Sequence, residues 1–134
     1  HTDGNGLPAG SGNVALGAEI FEIQCALCHG ENLEGVRAMG AGSMHEGRRD
    51  IELLPYATSL FDFIRRAMPL TDPGTLSNVE AYGLVAFLLN ETGVVDDANL
   101  TLDAASLAAI KMPNRPNFII DPASRFTAED LKDN

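Results

Sequence analysis

The chain has 134 residues, 45% of them hydrophobic and 21% charged, a length that supports one domain with a real core and is too short for two. Its formal net charge of -10 excludes a nucleic-acid binder, which selects a basic surface, and fits either a basic partner face or solubility alone. The longest apolar run, Leu84 to Leu89, is far too short to cross a bilayer, no signal-peptide core stands at the start, and a chain opening at His1 reads as a processed or trimmed form. Residues 1–13, rich in Gly, Asn and Ser, read as a loose arm. Val14 to Cys28 is the first expected helix, with Ala15, Ala18, Ile20, Phe21 and Ala26 on its apolar face and Gly17 open to the close approach of another helix. Residues 30–50 carry Gly30, Gly35, Gly40, Gly42 and Gly47 and no apolar period, so they predict a loop. Thr58 to Ala67 is a short helix with Thr58 or Ser59 near its cap. Pro69, Pro73 and Gly74 break it. Ser77, followed three residues later by Glu80, is a capping box opening a helix to about Glu91, with Gly93 at the glycine-cap position. Residues 94–134 form an extension with one short helix near Asp103 to Lys111, then a tail broken by Pro113, Pro116 and Pro122. Neither an internal repeat nor a strand is expected. The predicted fold is all-α with long loops, and it is a single domain over 1–134 with a core of about 14–93.

The two cysteines of the chain stand in Cys25-Ala26-Leu27-Cys28-His29. Cys-x-x-Cys-His is the attachment pattern of a c-type haem. One helical turn presents both thiols to the two vinyl groups of a porphyrin, and the adjacent imidazole supplies an axial nitrogen. Three other readings compete. A redox disulfide needs a βαβ setting that is missing here. A zinc site needs more ligands than His1 and His45 provide. Buried, inert thiols are the third. A six-coordinate iron takes a second axial ligand, and Met39, Met44, Met68 and Met112 are available. Met68 is favoured because it follows an apolar helix and precedes Pro69, which stiffens the turn. Met112, followed by Pro113, comes second. His45, which would give a bis-His haem, comes third.

In order, these pieces resemble the class I cytochromes c: a first helix ending in Cys25–His29, a glycine-rich loop, a short helix, the Ala67-Met68-Pro69 turn, and a capped helix with Tyr82 and Phe87. The resemblance covers about residues 14–93. It implies one covalent haem c, Met68 as distal ligand, and a close crossing of the first and last helices at Gly17, Phe21 and Tyr82. Many members carry a proline soon after the haem motif whose carbonyl orients the proximal His. None lies between His29 and Pro55, so another carbonyl is expected to serve. Leu54 to Pro69 and Lys111-Met112-Pro113-Asn114-Arg115 look more narrowly like cytochromes of bacterial sulfur oxidation, the subunits or partners of molybdenum sulfite dehydrogenases and of sulfane dehydrogenase.

The function implied is periplasmic outer-sphere electron transfer, with electrons taken from a molybdenum sulfite dehydrogenase and passed to a downstream cytochrome or oxidase. With His29 and Met68 both on the iron, no position is left for a substrate, so the protein is expected to be a carrier and not an enzyme. Leu33, Pro55, Tyr56, Leu60, Phe63, Ile64 and Leu84 are candidates for the haem wall, and Arg65, Arg66 and Arg115 for the haem propionates. A general carrier, a structural haem subunit of a larger sulfur-oxidising enzyme, and a haem enzyme or gas sensor are the alternatives.

Overall fold

A computed structural model of the chain describes residues 1–44 and 51–117. His45, Gly47 and Pro122 lie outside them. In chain order come strand β1 (Ser11–Asn13), helix α1 (Val14–Gln24), a single turn α2 (Ala26–His29), helix α3 (Ala57–Ala67), helix α4 (Asn78–Glu91), strand β2 (Thr101–Asp103) and short helix α5 (Ala104–Ala109), with 3-10 turns at Arg37–Met39, Ile51–Leu53 and Arg115–Asn117. The fold is mostly helical.

α4 is the axis of the molecule. Ser77 Oγ accepts from Glu80 N at 3.2 Å while Glu80 Oε2 accepts from Ser77 N at 2.7 Å, so the capping box settles two otherwise unpaired donors. All nine residues from Ala81 to Leu89 are buried, which means that neighbours cover this helix on every side. α1 starts where Asn13 Oδ1 accepts from Leu16 N at 2.9 Å. It crosses α4 at two glycines. A β-carbon on Gly17 would collide with the backbone carbonyl of Gly83, and one on Gly12 with Gly83 N and Val79 O. Beyond the crossing, Phe21 and Phe87 stack with centroids 5.2 Å apart. Tyr82 meets Phe61 of α3 at 4.4 Å, and not Phe21 as the resemblance implied.

Several expectations need correction. The first helix stops at Gln24, and the Cys25–His29 segment is a separate turn. α3 starts one residue early and is capped by Tyr56 without a side-chain bond; the Thr58 hydroxyl instead donates to Thr2 O at 3.3 Å. The N-terminal segment is not loose. Tyr82 donates its phenol to Pro8 O at 2.7 Å, and β1 pairs antiparallel with β2, Gly12 opposite Leu102. Two three-residue strands are too brief for alternation to reveal. The extension, through Met112, is also part of the core. Leu102, Leu107 and Met112 belong to the same buried cluster as Phe21, Phe61 and Tyr82.

Candidate functional site

Two adjoining chambers open between the α1–α2 segment, the loop ending at Met44, α3 and α4. The larger has a volume of about 700 Å³ and is walled by Ile51, Leu53, Leu54, Pro55, Leu60, Phe63 and Ile64. That lies within the roughly 300–1,000 Å³ typical of cofactor cavities. The smaller, about 200 Å³, holds Cys25, Cys28, Leu76, Leu84 and the Met68–Thr71 turn. His29, Met44, Ile64, Met68 and Leu88 line both. No charged side chain among the described residues lines either chamber, in a chain whose net charge is -10.

Local structure places the donors. α1 ends at Gln24, and the turn that follows carries Cys25 N to Phe21 O at 2.9 Å, Cys28 N to Cys25 O at 3.1 Å and His29 N to Cys25 O at 2.9 Å. Both thiols are therefore on one turn beside the imidazole. Neither is in a disulfide. Burial, and then the neighbouring Cys28, push the Cys25 thiol up to about 11, so it stays protonated at neutral pH. Burial lowers the pKa of His29, which keeps the ring neutral and able to donate a lone pair. Its Nδ1 is buried and pairs with no described residue; no described backbone carbonyl takes the role expected of one. Met68 ends α3, its amide donating to Ile64 O at 3.1 Å, so the helix end fixes where the thioether sits.

A neutral imidazole with an unpaired buried nitrogen, two thiols a turn apart, a thioether and apolar walls are a donor set that fits a haem c. Outside that reading, no three His, Cys, Asp or Glu side chains among the described residues are grouped to hold a metal ion by themselves. A buried polar nitrogen left without a partner costs about 1–3 kcal/mol, and His29 Nδ1 has none among the described residues.

The structure brings Cys25, Cys28, His29, Met68, Pro55, Leu60, Phe63, Ile64 and Leu84 to this space. It puts others elsewhere. Tyr56 stacks under the Arg115 guanidinium, 4.4 Å from the ring centre. Arg65 donates to Asn78 Oδ1 at 2.9 Å and, with Arg66, lines a separate polar depression beside His1, Thr2 and Asp62. Arg66 pairs with Asp62 at 2.7 Å. Leu33 is 1% exposed and Met112 3%; both are packed in the hydrophobic core, and neither is on the chamber walls. Neither Tyr56 nor Arg65 lines either chamber: α3 buries Leu60 and Ile64, and Arg65, one position past Ile64, points off that face, while Tyr56 precedes the helix. Sequence reasoning passed over Met44 and Leu88. Met44 stood in a glycine-rich loop without periodicity, and the only signal for it was its thioether.

The sequence profile of a family described as "Cytochrome C oxidase, cbb3-type, subunit III" matches residues 12–88. A thiosulfate dehydrogenase of Stutzerimonas stutzeri (strain A1501) is 29% identical over 87 residues, covering 60% of this chain and 28% of that protein. The chain thus spans little more than a quarter of that relative. A chain in the crystal structure of the sulfane dehydrogenase SoxCD from Paracoccus pantotrophus superposes with a TM-score of 0.78 at 30% identity, covering 100% of this chain and 70% of that one.

Proposed function

Because the chain belongs to the cytochrome c family whose profile is described as cbb3-type oxidase subunit III, we propose that it carries single electrons on one haem c bound covalently through Cys25 and Cys28, with His29 and Met68 as axial ligands. The observation that carries this reading is the meeting of the Cys25 and Cys28 thiols, the His29 imidazole and the Met68 thioether in a single apolar cavity, which Met39 and Met44 also line. When bound, the haem supplies the one-electron redox centre. The chain's own residues do the rest. His29 presents a neutral nitrogen. Met68 presents a soft sulfur that favours the reduced metal more than a second imidazole does. Leu60, Ile64, Leu84 and Leu88 exclude water, which also raises the potential. With His29 and Met68 both ligating, the haem group would supply electron transfer and offer no place for a substrate.

The donor we assign is a molybdenum sulfite dehydrogenase of the periplasm, with a downstream cytochrome or oxidase as acceptor. Support comes from the Leu54–Pro69 and Lys111–Arg115 stretches and from the two relatives named above, which are dehydrogenases of sulfur compounds. Among the described residues no helix is long and apolar enough to cross a membrane. A second reading is favoured by the coverage: the chain spans 70% of one sulfane dehydrogenase chain and 28% of a thiosulfate dehydrogenase, as a haem-bearing portion of a larger sulfur-oxidising enzyme would. Acid–acetone extraction and denaturing mass spectrometry test the site. The colour and the mass of one haem stay with the chain, and free extraction refutes covalent attachment. Met68→Ala alters the long-wavelength sulfur-to-iron band of the oxidised protein while Met112→Ala does not. A dehydrogenase subunit that co-purifies favours the second reading; a chain that elutes alone favours the carrier.

A further inference from the structure

Five residues line both chambers, and two of them, Ile64 and Leu88, offer only hydrocarbon. The other three carry donor atoms: His29, Met68 and Met44. The loop is pinned at Met44 from both sides. Its amide donates to Leu33 O at 2.9 Å and its carbonyl accepts from Ile51 N at 3.1 Å. Leu33 itself is 1% exposed and holds a left-handed φ of 62°, so the anchor is buried backbone. From that anchored backbone the Met44 side chain extends over three rotatable bonds and ends in a polarisable sulfur.

We propose that Met44 is a reserve axial ligand. Where Met68 is replaced, Met44 would ligate the iron in its stead, so that thioether ligation would persist and the iron would stay closed to outside ligands. A lone pair of the Met44 sulfur would bind where the Met68 sulfur is missing, with no bond broken and no electron or proton exchanged. This rests on the haem reading above, and the experiment separates the two. Holoprotein is prepared as wild type, Met44→Leu, Met68→Ala and the double variant. Haem mass on the denatured chain, the sulfur-to-iron band of the oxidised form and carbon monoxide binding to the reduced form are read on each. Met44→Leu keeps the cavity volume and is the single-variant reference for the double variant. Met68→Ala retains a shifted sulfur-to-iron band and binds carbon monoxide at least tenfold more weakly than the double variant, which loses the band. Met68→Leu serves the same comparison where the alanine variant does not hold haem. A Met68→Ala protein with no band and carbon monoxide affinity equal to the double variant overturns the proposal and leaves Met68 ligation standing. A band that persists in the double variant also overturns it, pointing to Met39, which lines only the smaller chamber. Wild type without haem mass removes the haem reading beneath both.

Discussion

Asp103 shows how much one side chain can fix. Its Oδ1 accepts from Ser106 N at 2.8 Å, and the Ser106 hydroxyl donates back to Asp103 at 2.7 Å. The Ser106 amide first, and its hydroxyl next, hold the Asp103 carboxyl below its ordinary 3.8. A depressed acid contributes stability that is present above the unfolded value and is lost as pH falls through the folded one. Asp103→Asn therefore flattens the acid limb below pH 3.8, read as the thermal midpoint between pH 7 and pH 3; a parallel shift at every pH would contradict this. Tyr82 is fully buried, and its hydroxyl gives Pro8 O a 2.7 Å bond. Tyr82→Phe keeps the stack on Phe61 and loses that bond, about 0.5–1.5 kcal/mol, read as a lower urea midpoint. At this scale the sequence was legible where a short-range pair carries a distinctive pattern, as Cys25 to His29 and Ser77 to Glu80 do, while the equally local caps Asp103–Ser106 and Asn13–Leu16 went unread. Tyr82 with Phe61 and Pro8, and Met44 with Leu33, were not legible, because their partners are fixed only by how helices and loops cross.

Among the elements, α1 and α4 depend on the absence of side chains. Alanine is the better helix former by about 1 kcal/mol, so Gly17→Ala would stabilise an isolated α1. Against the Gly83 carbonyl there is no room for the added carbon, and backbone cannot swing aside as a side chain does. The collision wins. Gly17→Ala destabilises by about 1–3 kcal/mol, measured by urea unfolding of the holoprotein; a neutral or stabilising result would mean that the helices do not cross here. Ser77→Ala removes half of the capping box and costs about 0.5–2 kcal/mol. The helices themselves were readable from caps and breakers: Asn78–Glu91 and Ala57–Ala67 lie close to the spans predicted. Gly17 was readable as a gap, but Gly12 and Gly83 were not, since nothing local distinguishes a glycine that meets backbone from one that does not. The β1–β2 ladder escaped because three residues give no period.

For the whole molecule, the described residues beyond Glu91, 92–117, are structural. Leu102 is 0% and Leu107 1% exposed, Asn114 Nδ2 donates to Leu53 O at 2.7 Å, and Arg115 covers Tyr56. The last two brace the Leu53–Pro55 wall of the larger chamber. Leu102→Ala costs about 2–5 kcal/mol as a core cavity, measured by denaturant unfolding; a loss of a few tenths would show that the extension is detachable. The distribution of charge sets the expected encounter with a partner. Both chambers are walled by uncharged residues while the chain as a whole is strongly acidic. Attraction then acts at long range and is screened within about 10 Å at 0.1 M salt. Reduction by a purified sulfite dehydrogenase is fast at low salt and slows as salt rises. Equal or slower reduction than by a quinol-oxidising complex sinks the sulfite assignment and spares the carrier.

The pairing of Ser11 with Asp103 also orders events in time. Cys25, Cys28, His29 and Met68 all lie between the two strands of that clasp. A chain that emerges N-terminus first presents its thiols long before Thr101–Asp103 exists to close β1. Nonlocal pairings of this kind form late, and until then Gly12 has no strand partner to hold it against α4. The open clasp thus leaves the cysteine turn accessible until Thr101–Asp103 pairs with β1 and shuts the core behind it.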